Sequence, residues 1–347
     1  MDIIKNKDKA IQELRRISQR TISDNNKEVD STVEKILHEV KTHGDNAVEK
    51  YTQKFDGFLP RPMQVSSEDL KNAWDETDNR LKQSLENAHE RIKKFHEKEI
   101  PESFTLKGEY GDSVQRRWMP VKSAGLYIPG GRAAYPSTVL MNAIPAKVAG
   151  VREISIVSPG NSRGIINKTV LAAAYLSGIE KVFRIGGAQA IGALAFGTNQ
   201  INKVDVISGP GNIYVTTAKK LIYGFTGIDS LAGPSEILII ADKTANSSQI
   251  ASDLLAQAEH DPLASSILLT TSKDQAQEVF NEVFNKIANH PRKEICNQSI
   301  KNWGLIVICE NIESCIELSN EFAPEHLEII TIDPKTTLEK ITNAGAI

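Results

Sequence analysis

The sequence predicts an α/β fold: two Rossmann-like doubly wound α/β/α domains with an N-terminal helical region. Three observations predict it. From about residue 120 onward, short apolar runs alternate with helical periods and are joined by short glycine loops, the pattern of a parallel sheet covered on both faces. The strand runs, such as EISIVS (153–158) and EILIIAD (236–242), are apolar throughout, as burial of both faces requires. The rhythm also stops and restarts around GIDSLAGPSE (227–236), which makes two units of a chain whose 347 residues exceed the ~250–300 at which a single core stops growing.

The chain opens on MDIIKNKDKAIQELRR, which reads as a charged amphipathic helix without the apolar stretch that marks export. Residues 28–55 and 66–95 carry apolar residues at helical spacing, so the first hundred residues are expected to be helical. His38, His43, His89 and His96 lie there among charges and are read as solvated. GLYIPGG (125–131) is a short strand closing on glycines, and YPSTVLMNAIPAKVAG (135–150) the helix after it. Strand EISIVS, helix 166–178, strand KVFRI, helix 188–197, strand KVDVI and helix 213–224 complete the unit. The next runs from strand EILIIAD and helix 247–260 through strand SSILLTT, helix 274–290, strand GLIVICE and helix 313–322 to strand LEIIT and helix 336–344.

Composition narrows the function. With 40% hydrophobic and 24% charged residues and a net charge of −3, the chain has no electrostatic footprint for nucleic acid or an anionic membrane. No apolar run approaches the ~18 residues of a spanning helix. The three cysteines, Cys296, Cys309 and Cys315, form neither a CxxC pair nor a disulfide framework, which points to a reducing compartment, the cytoplasm. Cys309 in a strand and Cys315 in a helix are expected to be structural.

Four short motifs could carry chemistry. RIGGAQAIG (184–192) and ISGPGNIYV (207–215) each join a strand to a helix N-terminus, where backbone N–H groups favour an anion. Neither matches G-x-G-x-x-G, and the glycines serve equally as permissive residues of tight turns. In AQAEHDP (256–262), Gln257 and His260 are three apart on one helical face and could present two metal ligands. Glutamine is an unusual zinc donor, so alone the pair reads more readily as a polar helix end. FAPEHLEI (322–329) sets Glu325 beside His326 in a loop, a possible pair of general bases, although any surface Glu-His dipeptide looks the same.

Together these stretches, with GLYIPGG, YPSTVLMNAIPAKVAGV, GGAQAIGALAFGT, GPGNIYVTTAKK and GIDSLAGPSEILIIAD in that order, resemble the histidinol dehydrogenases over nearly the whole chain. The resemblance implies a four-electron oxidation of L-histidinol through L-histidinaldehyde to L-histidine, with NAD reduced twice and one zinc ion per subunit. It implies that Tyr127, Gln189 and Asn212 contact NAD, that Ser235, Gln257, His260 and His326 contact substrate, and that Gln257 and His260 ligate zinc. Glu325 would activate water for the hydrated aldehyde, and His326 would act as general base in both steps. Zinc would hold the substrate's imidazole and amine.

The domains then expected are an N-terminal helical arm, 1–23; a first α/β domain of 24–125 plus 235–347 carrying the catalytic and zinc-ligand residues; and a second, 126–234, for NAD. Family members are dimers, so a homodimer is expected. The family supplies further zinc ligands downstream of a segment like NAGAI (343–347), so this chain is expected to be C-terminally truncated and of little activity alone. The rival readings are a dehydrogenase of another amino alcohol or polyol, and an inactive fragment.

Overall fold

The structure, a computed structural model, describes residues 1–20, 27–130, 135–231 and 233–347. The expected boundary at 23/24, Gly131 of GLYIPGG and Ala232 of GIDSLAGPSE lie outside the described residues. In chain order the elements are β1 (Asp2–Ile4), α1 (Lys7–Ser18), α2 (Lys27–His43), α3 (Asp45–Asp56), α4 (Ser67–Asp75), α5 (Asn79–His96), β2 (Phe104–Lys107), β3 (Ser113–Arg116), β4 (Ser123–Tyr127), α6 (Pro136–Val148), β5 (Glu153–Val157), α7 (Lys168–Leu176), β6 (Lys181–Phe183), α8 (Gly187–Phe196), β7 (Val206–Ser208), α9 (Ile213–Ile222) and β8 (Gly227–Ile228). They continue as β9 (Glu236–Ala241), α10 (Ser247–Ala258), β10 (Ser265–Thr270), α11 (Lys273–Ala288), α12 (Lys293–Trp303), β11 (Gly304–Ile308), α13 (Ile312–Phe322), β12 (His326–Ile330) and α14 (Pro334–Glu339).

By internal contacts the chain divides into Met1–Asp24 with Ala232–Ile347, and Asn25–Leu231. The first unit holds a parallel sheet ordered β1-β11-β10-β9-β12, the second a parallel sheet ordered β6-β5-β4-β7-β8. Counted from β9 in the first unit and from β4 in the second, both contain the order 3-2-1-4. The switch in direction, where a doubly wound sheet opens a crevice for ligand, falls between β4 and β7 in one and between β9 and β12 in the other.

The helices α2–α5 depart from expectation. Residues 27–125 belong with 135–231, not with the C-terminal unit; only the stretch before the first boundary joins the latter. The physical reason lies in α8, whose residues Ala188–Ala195 are all buried. A helix apolar all round needs cover on the side away from its sheet. Val33, Ile36, Leu37 and Val40 of α2 supply it, packing in one core with Ile191 and Leu194. On the other face of the sheet, Leu70 and Ala73 of α4 and Leu85 of α5 join the core of α6 and α7.

Two further departures are local. The first residues form no helix: Asp2–Ile4 adds an edge strand to β11, and Asn6 caps α1 by accepting from Lys9 N. The segment after α5 forms an antiparallel hairpin, β2–β3, exposed along its length. The three cysteines are buried and free, including Cys309 and Cys315, for which a structural role is expected. Among the described residues no helix is long and apolar enough to cross a membrane.

Candidate active site

In the unit of residues 25–231, the candidate nucleotide residues gather where strands end. Tyr127 closes β4 with its side chain buried. The turn after β7 runs against it: a Cβ on Gly209 (φ +121°) would sit 2.1 Å from the Tyr127 carbonyl oxygen, so only glycine allows that approach. The same turn is tied down on both sides. Gly209 N donates to Asp229 Oδ2 at 2.8 Å, while the buried Lys219 Nζ donates to Gly209 O at 3.1 Å and pairs with Asp229. Asn212 ends the turn as the N-cap of α9, accepting from Tyr214 N and Val215 N at 3.1 and 3.2 Å.

The turn before α8 meets the same tyrosine. Gly187, at φ +63°, donates its N–H to Tyr127 Oη at 3.2 Å. Gln189 lies in the first turn of α8, 1% exposed, and its Oε1 has no hydrogen-bond partner among the described residues. A buried amide oxygen left unpaired is costly unless a ligand supplies the donor. Burial pushes the Tyr127 phenol up to about 12, the Gly187 N–H opposing the rise and the carboxylate of Asp56 adding to it. The structure thus links Tyr127 directly to both glycine turns.

In the other unit the candidates lie at the edge where strands begin, opposite to the usual ligand edge of an open α/β sheet. Ser235 precedes β9, and its carbonyl accepts from Ser265 N at the start of β10. On either side of Ser235, Pro234 O and the Glu236 carboxylate are bound by Arg20, whose side chain is 1% exposed. Helix α13 stops at Ala323, in the left-handed region at φ 54°, and Pro324 leads to Glu325 and to His326, the first residue of β12. Glu325 Oε2 accepts from Glu236 N at 3.2 Å; its Oε1 stands 3.9 Å from His326 Nε2, both side chains about half exposed. Beside them, burial raises the Glu328 carboxyl, with Asp253 adding to the rise and His326 opposing it. Segment 345–346 runs alongside, Ala346 N donating to Glu325 O and Leu327 N to Ala346 O.

Gln257 and His260 differ in setting. Helix α10 ends at Ala258, so His260 occupies the turn beyond it and is exposed, whereas Gln257 is buried and its Nε2 has no partner among the described residues. Among the described residues no three His, Cys, Asp or Glu side chains come together as a metal would need.

Sequence reasoning missed Asp56, Lys219, Asp229 and Arg20. Lys219 reads as surface because it stands in a Lys-Lys pair. Asp56 precedes Gly57, whose left-handed φ of +79° ends α3, a stop signal readable in FDG.

Comparison with known proteins agrees with this architecture. The family model described as histidinol dehydrogenase matches residues 19–347. A histidinol dehydrogenase of Prochlorococcus marinus subsp. pastoris is 84% identical over all of this chain and 81% of its own length. That of Thermosynechococcus vestitus is 51% identical over 96% of this chain and 78% of its own. The crystal structure of histidinol dehydrogenase from Elizabethkingia anophelis superposes with a TM-score of 0.93 at 37% identity, covering 99% of this chain and 78% of that one. The doubly wound units are those of an α/β oxidoreductase. The chain belongs to the histidinol dehydrogenase family.

Proposed function

We propose that the protein oxidises L-histidinol to L-histidine through the aldehyde, with NAD as acceptor. What carries the reading is the Glu325–His326 pair, set beside Ser235 at one sheet edge in a chain of this family. One observation near Tyr127 supports a nucleotide: Gln189 buries an acceptor that has no partner among the described residues. NAD, when bound, supplies the hydride acceptor. Tyr127, Gln189 and Asn212 would position it.

His326 takes the proton from the carbinol oxygen in the first oxidation. Glu325, steadied by the Glu236 N–H, then draws a proton from the water that adds to the aldehyde, while His326 returns its proton to the aldehyde oxygen and is free again. His326 serves again as base when the hydrate is oxidised. Zinc fits only in part. Gln257 and His260 offer two donors, and zinc sites draw at least three from protein. The described residues therefore do not make a zinc centre by themselves, and no step here passes through one. The reading includes a homodimer as working unit and the cytoplasm as setting.

Single-turnover oxidation from histidinol and from histidinaldehyde tests the division of labour. Glu325→Gln is expected to slow the aldehyde step more than the alcohol step, and His326→Asn to slow both. Equal losses for Glu325→Gln would refute it.

A further inference from the structure

The carboxyl group of Asp56 occupies a place that nothing among the described residues makes favourable. It closes α3, where the negative end of the helix dipole opposes a carboxylate. Its Oδ2 is shut off from water and has no hydrogen-bond partner among the described residues. Burial alone pushes its pKa up to about 6. An ionisable group kept under such conditions points to a ligand that relieves them.

Its neighbours say where that ligand would lie. Gly57 turns the chain, and the Phe58 ring comes so close to Gly164 that a Cβ there would sit 2.7 Å from it. Gly164 belongs to the loop after β5, closed by its N–H to Asn161 O. That loop also meets the α8 turn, where a Cβ on Gly186 would be 2.6 Å from Pro159. Asp56 is therefore brought to the edge at which β4, β5 and β6 end, and its charge reaches the Tyr127 hydroxyl.

In a doubly wound dinucleotide site, a carboxylate from early in the fold takes the ribose 2′-hydroxyl and disfavours a 2′-phosphate. The strand after the first in this sheet is β5, and the residues following it, Ser158, Pro159, Gly160, Asn161 and Ser162, include no acid. We propose that Asp56, delivered from the helical layer, fills that role: it accepts from the adenosine ribose diol and selects NAD over NADP. A diol brings two donors to an acceptor that lacks one, whereas a phosphate brings charge and no donor. The assignment rests on the NAD reading above.

Calorimetric binding to the purified chain tests it with three probes: NAD, NADP, and NAD lacking the adenosine 2′-hydroxyl. NAD should bind; NADP and the deoxy analogue should bind about tenfold more weakly or worse, the scale of a hydrogen bond to a charged group. Asp56→Asn should weaken NAD by a similar factor while bringing NADP close to it. If NAD fails to bind the unmutated chain, the NAD reading falls and this assignment with it. If NAD binds but the deoxy analogue binds equally well, the assignment alone falls, and that result needs no variant to fold.

Discussion

Gly209→Ala should damage the protein more than any ordinary glycine substitution. An alanine there must hold φ near +121°, which costs a non-glycine residue about 1–3 kcal/mol. Its Cβ would also stand 2.1 Å from Tyr127 O and 3.0 Å from the carbonyl carbon, both backbone atoms of β4. The turn must retreat by about 1 Å before ordinary contact is restored. That retreat stretches the 2.8 Å bond from Gly209 N to Asp229 and the 3.1 Å bond from Lys219 to Gly209 O, hydrogen bonds to charged groups worth roughly 1.5–3 kcal/mol each. With partial relaxation the loss is on the order of 4 kcal/mol, or about 10 °C in melting temperature for a unit of this size. Gly233→Ala, whose Cβ would meet none of the described residues within 4 Å, is the control. Circular-dichroism melting and calorimetric NAD titration of both variants decide the matter. A Gly209→Ala protein that melts within about 2 °C of the control and binds NAD equally would refute the close approach of the turn to β4.

The remaining predictions separate structural from ligand roles. Asn212→Ala should lose about 1 kcal/mol of stability with the helix cap and should raise the Michaelis constant for NAD more than that for histidinol. Asn212→Ser should regain the stability without the NAD affinity; recovery of both would reduce Asn212 to a cap. The pKa of Asp56, about 6 when folded, lies above the ~3.9 of an unfolded aspartate. The folded state therefore holds an extra proton between those values, and the stability this confers is present below about pH 4 and lost as pH rises through 6. Asp56→Asn should accordingly match the parent at pH 4 and melt higher above pH 6, and an equal gain at both would contradict the burial of an unpaired carboxylate.

The strands and helices of both α/β units are readable because burial on two faces leaves unbroken apolar runs, as in Ile237–Ala241. Glycine turns mark the strand ends in the sequence, but Tyr127, Gln189 and Asn212 stand out as site candidates only through the family resemblance. The home of α2–α5 is not readable from those helices themselves, since each shows an apolar stripe that any sheet could take. The signal sits elsewhere, in the all-round apolar surface of α8 and in Gly192, which a Cβ would press against Leu37 and Val40 of α2. β1 is lost because three residues are too few to show a period. Asp56 is lost because an acid at a helix end reads as solvated until the loop after β5 is seen to close over its neighbour.

The ratio of NADH formed to L-histidine formed from L-histidinol tests the central claim most directly, because it is independent of the rate. Two NADH per histidine, with no aldehyde accumulating, is the predicted result. One NADH with histidinaldehyde as product, or oxidation of another amino alcohol in preference to histidinol, would contradict it.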